Sequence, residues 1–308
     1  MINRILIRIR VIQIVYAWYQ NKGRDLNQAE RELLLGLQKS YDLYYYLLQL
    51  MIELTDLHEE RVNIKRNKYL PTDEDLNPNM NLINNKFINQ LRNNRMFVSY
   101  ITNRPMSWEE NSTFVRNLLD NITASDEYKK YTEIEKPTYK EDKEFWRSSF
   151  RNFIQRNDSL DDILEDESIF WNDDIEIVQS FVIKTINQFK KTEGEDYLLL
   201  PFFNDEEDRD YATTLLRETI KNGDKYRKLI AENADNWDFE RIAYMDVVIM
   251  QTAVAELYTF ESIPIRVTLN EYIDLAKAYS TPKSSTFING VLDAIVTELR
   301  KDKTIFKV

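Results

Sequence analysis

An all-α fold is predicted by three features of the sequence. Apolar residues recur at steps of three and four through most of the chain, the period of a helix face. Five glycines and seven prolines among 308 residues leave few turns, which favours long helices over sheets. The block from about Phe239 to Phe260 is apolar nearly all round, through Ile242, Met245, Val248, Ile249, Ala253, Ala255 and Leu257. A helix without a polar side is a buried central helix, since every side of it needs covering.

The first helix is expected from about Ile2 to Asn21. It places Ile5, Ile9, Ile12, Tyr16 and Tyr19 on a core face. Ile7, Val11, Ile14 and Trp18 make a second apolar face, covered either by another part of the chain or by a partner. Asn27 followed by Glu30 reads as a capping box opening a long helix toward Lys68, with Pro71 as its stop. Tyr41, Tyr44, Tyr45 and Tyr46 on it read as packing against a neighbouring helix in preference to a base-stacking platform. An Asn-rich link reaches about Asn85. Helices are then expected near 86–102, from a capping box at Ser107–Glu110 to about Ile122, at 139–156 and at 173–191.

A further helix runs from Ala212 to Asn222, with Gly223 as its C-terminal cap. After the central block, Pro264 breaks the chain, and Thr268–Tyr279 carries Leu269, Tyr272, Ile273 and Ala276 at helical spacing. Pro282 breaks it again before a last helix to about Arg300, N-capped by Ser284 or Ser285. Ala253, Ala255, Ala276, Ala278 and Gly290 are small enough for close helix approach.

Met245-Asp246, Ala255-Glu256-Leu257, Ile263-Pro264, Asn270-Glu271, Leu275-Ala276-Lys277 and Phe287-Ile288-Asn289-Gly290-Val291-Leu292-Asp293 stand in one order over about 60 residues. That order resembles the transcription antitermination factors of the NusB family, and Gln13-x-x-Tyr16 after a basic start resembles their first helix. The family's basic run is denser than Arg4, Arg8 and Arg10 here, which are separated by isoleucines and a leucine. The resemblance implies a NusB-like bundle built from residues 1–24 and 208–308, with 25–207 as a helical insertion after the first helix.

Composition excludes several classes. There is no cysteine, and the only histidine, His58, lies on a charged helix and reads as a solvated surface residue. No glycine-rich loop cradles phosphate. The acidic run 158–176, with nine Asp or Glu and no base, reads as a solvated face or one aimed at a basic partner. No apolar run reaches the roughly 20 residues of a bilayer span, and Arg4, Arg8 and Arg10 interrupt any signal-peptide core. A binding protein is expected, with no catalytic residues, cofactor or metal, in the cytoplasm. A NusB-like domain also precedes some ribosomal-RNA methyltransferases, but the match here runs to within about eight residues of the end of the sequence, which leaves no place for a methyl-donor fold after it.

The resemblance further implies pairing with NusE, a ribosomal small-subunit protein, to bind boxA-type single-stranded RNA within a transcription elongation complex, in antitermination and ribosomal-RNA synthesis. By motif position Arg4, Arg8 and Arg10 fall on the RNA-binding arm. Lys277 and Lys283 add charge, Lys277 equally reading as a helix-end residue. Phe287 reads either as a ring stacking on a base or as core. Tyr16, Glu240 and Asp246 are expected at the protein partner. For Tyr16 the alternative is core packing, and for Asp246 it is an ion pair with Arg241 or Arg266. The rival function is a helical protein–protein scaffold of the same fold without RNA binding, in keeping with the thinned arm and a net charge of −11.

Overall fold

In the computed structural model, which describes residues 1–21, 25–234 and 242–302, the Asn3 side chain accepts the Leu6 N–H and opens α1 (Arg4–Gln20). The described residues form helices and turns with no strand, leaving one isolated bridge between Ile2 and Phe203. The chain divides into two compact units, one holding Ile2–Leu37 and Phe203–Val308, the other Met1 and Gln38–Phe202. The 41-residue α2 (Leu26–Arg66) contributes its start to the first unit and the remainder to the second.

The Gln38–Phe202 unit contains the rest of α2 together with α3 (Asp73–Leu76), α4 (Lys86–Arg92), α5 (Arg95–Asn103), α6 (Ser112–Ala124), α7 (Asp126–Thr132), α8 (Tyr139–Ser149), α9 (Asp158–Glu167) and α10 (Ile175–Gln188). Its core forms along α2, where Tyr44, Tyr45, Leu47, Leu48, Leu50 and Met51 are buried. The four tyrosines pack internally as expected. The Tyr45 ring stacks on Tyr100 at 3.8 Å, Tyr46 on Trp108 at 4.0 Å, and the Tyr44 hydroxyl meets Thr185 Oγ1 at 2.6 Å. α8 packs on α4, α7 and α10.

The other unit contains α1, the start of α2, α11 (Glu206–Lys221), α12 (Gly223–Glu232), α13 (Tyr244–Thr259), α14 (Ile265–Tyr279) and α15 (Ser284–Lys301). α13 is the axis, packed by α1, α11, α12, α14 and α15, and Asp246 through Leu257 are buried without interruption. This is the central helix that the unbroken apolar sequence demanded. Both apolar faces of α1 are used as well: Ile9 and Ile12 on one, Ile7, Val11 and Ile14 on the other. Ile5 departs from its expected core position and stays 40% exposed on the first turn. Where α1 meets the start of α2, Gly36 lies against Arg10, whose Cδ would sit 2.6 Å from any Cβ placed there.

Several local expectations are corrected. α2 begins before Asn27, because Asp25 Oδ1 accepts the Asn27 N–H and Glu30 turns to pair with Arg217 at 2.5 Å. The 86–102 segment splits at Asn93–Asn94, where Asn94 caps a new helix. Ser107 closes a turn instead of a capping box, since Trp108 is buried with Nε1 donated to the Tyr46 carbonyl, and α6 starts at Ser112. The 139–156 helix becomes a π-turn after Ser149. Gly223 opens α12 instead of closing α11; the Tyr19 hydroxyl lies where its side chain would be. α14 starts directly after Pro264, ahead of the expected Thr268. Gly290 is exposed with open space above it, so close packing does not explain it. His58 is half-buried beside Tyr128 instead of solvated.

Candidate functional site

α1 is apolar on two sides, so an arginine on it either reaches past the core or is held within it by a carboxylate. Arg8 is held. It is 2% exposed and grips the fully buried Glu256 of α13 with two parallel bonds, Nε to Oε2 at 2.8 Å and Nη2 to Oε1 at 3.0 Å. Glu271 Oε2 on α14 takes Nη1 at 3.3 Å. The hydroxyls of Tyr211 (2.5 Å), Thr268 (2.8 Å) and Tyr272 (3.1 Å) also donate to Glu256. Burial alone would raise the Glu256 carboxyl; the Arg8 guanidinium and these hydroxyls outweigh it and hold the group below the usual carboxylate range. Burial and the Glu256 charge push both tyrosines well above the ordinary phenol value. Glu256 was in the motif, but its role was missed. Its signal was an acid in the middle of an apolar helix, with arginines set among the apolar faces of another.

The other two arginines differ. Arg4, on the first turn, is one-third exposed, pairs with Glu207 at 2.9 Å and Asp208 at 3.5 Å, and lies over the Tyr211 ring. Arg10 is 4% exposed and donates to Gln13 at 2.8 Å. Of the expected basic arm, only Arg4 therefore reaches the surface; Arg8 and Arg10 serve inside the unit.

Asp246 is 4% exposed and takes the hydroxyls of Ser280 at 2.5 Å and Ser284 at 2.8 Å. Arg241, one of the two arginines expected to pair with it, lies outside the described residues; among those described, two serines meet it. This ties the start of α13 to the α14–α15 connection, and Ser284 becomes the first residue of α15 instead of its cap. Near that connection Lys283 is exposed, Phe287 is half-buried, and Lys277 pairs with Asp274 at 2.7 Å in the last turn of α14. Glu240 lies outside the described residues.

Tyr16 is 37% exposed and makes a T-shaped contact with the Tyr244 ring, centroids 5.4 Å apart. Behind it stands a cluster that the sequence did not suggest. The Arg227 guanidinium lies 3.7 Å over Tyr19 and donates to Tyr244 Oη at 3.1 Å and Gln251 Oε1 at 2.8 Å. Among the described residues no group of three His, Cys, Asp or Glu is placed to hold a metal ion. No described helix is long and apolar enough to cross a membrane.

The profile of the NusB family matches residues 175–297. The transcription antitermination protein NusB of Salinibacter ruber is 40% identical over 124 residues, 38% of this chain and 78% of that protein. The chain belongs to the NusB family. The NusB protein of Listeria welshimeri is 38% identical over 103 residues, a third of this chain (33%) and 80% of the relative. That of Chloroherpeton thalassium is 37% identical over 99 residues, 32% of this chain and 47% of the relative, so the chain spans about half of that NusB's length. No solved structure matches the chain at a significant level. Shared core accounts for much of the likeness to NusB, since α13 and its neighbours carry most of the motif residues.

Proposed function

We propose that this protein acts in transcription antitermination and ribosomal-RNA synthesis in the cytoplasm, binding boxA-type RNA together with NusE as part of a transcription elongation complex. Kinship with proteins named transcription antitermination protein NusB, and the match of the family profile over residues 175–297, carry the reading. It is a binding function with no catalytic group and no cofactor. The packing of α1 on α11 and α13 supports it, because the basic N-terminal helix and the C-terminal helices then belong to one unit. Arg4, Lys277, Lys283 and Phe287 are the RNA contacts, with Arg8 and Arg10 stiffening the helix beneath. Tyr16 faces NusE, Asp246 orders the nearby chain from within, and Glu240 lies in the adjoining segment. Residues 25–207 are an insertion relative to the family core.

The test is titration of boxA-type RNA with and without NusE across several salt concentrations. Three phosphate contacts on a single strand give a log–log salt slope of about −2. Replacing Arg4, Lys277 and Lys283 by alanine flattens it. RNA affinity that is independent of salt, or unchanged in the triple variant, overturns the assignment of contacts. The burial of Arg8 and Arg10 favours a second reading, a protein–protein scaffold without RNA binding. Its signature is NusE binding with no RNA contribution at any salt concentration.

A further inference from the structure

We infer that Arg227 is a positioning residue for a protein-docking surface centred on Tyr16. The inference rests on the reading that Tyr16 faces the protein partner. Tyr16 is one of the exposed large aromatic side chains, 37% exposed, and so is available to a partner. A tyrosine on its own wobbles about two side-chain torsions, and ordering it on binding costs affinity. Here the ring is held in a T-shaped contact with Tyr244 at an interplanar angle of 70°.

Tyr244 is fixed in turn. Its hydroxyl takes Arg227 Nη2 at 3.1 Å, and the guanidinium is 5.6 Å from its ring. Arg227 Cζ lies over the Tyr19 ring, 3.7 Å from its centroid, and Nε is closed off by Gln251 Oε1 at 2.8 Å. Gln251 Nε2 returns to the Tyr19 hydroxyl at 3.0 Å and to the Thr219 carbonyl at 2.8 Å. The circuit is closed, and it stands on α13, whose residues at that level are buried. Gly223 leaves the space that the Tyr19 hydroxyl occupies.

Arginine and tyrosine are the residues most enriched at energetic centres of protein interfaces, because they present large, rigid surface with a polar edge. Phenols and a guanidinium, with no carboxylate in the circuit, fit a protein surface that offers backbone or carboxylate acceptors beside apolar side chains. Arg227 does not need to touch that surface. It holds Tyr244 and thereby removes the freedom that Tyr16 would otherwise lose on binding. Lysine cannot replace it, since the fork that reaches Tyr244 from Nη2 and Gln251 from Nε, with Cζ over Tyr19, needs the guanidinium.

The experiment measures the affinity of the full chain for NusE by calorimetry in wild type, Tyr16→Ala, Arg227→Ala, Arg227→Lys, Tyr244→Phe and the Tyr16→Ala/Arg227→Ala pair, with melting temperatures for each. Arg227→Ala, Arg227→Lys and Tyr244→Phe are expected to weaken binding about five- to tenfold. The double variant is expected to be no weaker than Tyr16→Ala alone, the coupling a merely structural role would not give. Additive losses, or wild-type affinity in a folded Arg227→Ala chain, overturn the inference. If Arg227→Ala melts early, Tyr244→Phe decides, since it keeps the ring and removes only the anchor. Failure of the wild type to bind NusE at all overturns the reading beneath; wild-type binding that Tyr16→Ala leaves unchanged overturns only the placement of the surface.

Discussion

Arg8 and Glu256 lie 248 positions apart and form the most fully enclosed charge pair described here. Removing one partner leaves the other buried without compensation, a cost of about 3–5 kcal/mol. Arg8→Met is therefore expected to lower urea-unfolding stability by that order, and adding Glu256→Leu to recover much of it. The Glu256 carboxyl is depressed in the folded state, so its contribution is complete above the ordinary carboxylate value and is lost as pH falls through the lower folded one. His58 has the same sign of pH dependence by another route. Burial first, then the charges of Lys65 and Arg61, pushes its imidazole down from 6.5 to about 4. Between those values the unfolded chain binds the proton and the folded one does not, so stability falls on acidification through that window. His58→Gln should flatten the pH 4–6.5 limb of the unfolding curve by at least about 1 kcal/mol.

At the scale of helices, periodicity was a good guide wherever one side of a helix is covered by neighbours. α13 was legible because it has no polar side, and α1 because two apolar faces are both used. Boundaries were less legible where a side chain of distant sequence decides them. α6 starts late because Trp108 is drawn into the Tyr46 stack, and Gly223 opens a helix because Tyr19 needs its space. Two glycines make opposite predictions from this. Gly290→Ala, on an exposed helix surface with nothing above it, should raise stability by about 0.5–1 kcal/mol in thermal melts. Gly223→Ala should lower it by about 1–3 kcal/mol, the cost of overpacking against Tyr19, despite a better helix former.

Over the whole molecule, charge is unevenly shared. Residues 38–202 hold 21 Lys and Arg against 30 Asp and Glu, which is nine of the eleven net negative charges. α9 accounts for part of this: Leu160 and Leu164 are buried, and much of the rest of that helix is exposed acid. The remaining residues are nearly neutral, so the shallow salt dependence expected for RNA is set by a few surface cations and not by a general field.

Residue order alone determined the all-helical architecture, the central helix, the breaks at Pro264 and Pro282 and the kinship, since these follow from periodicity, backbone chemistry and local motif. It also names every charged residue. It could not say which of them face water. Whether an arginine on α1 meets a phosphate or a buried carboxylate depends on which helix folds against it, and only the packing of α1 on α13 turned Arg8 inward and left Arg4 outside. A charge pays for its desolvation only where an opposite charge and enough donors converge, and that convergence is a property of three dimensions.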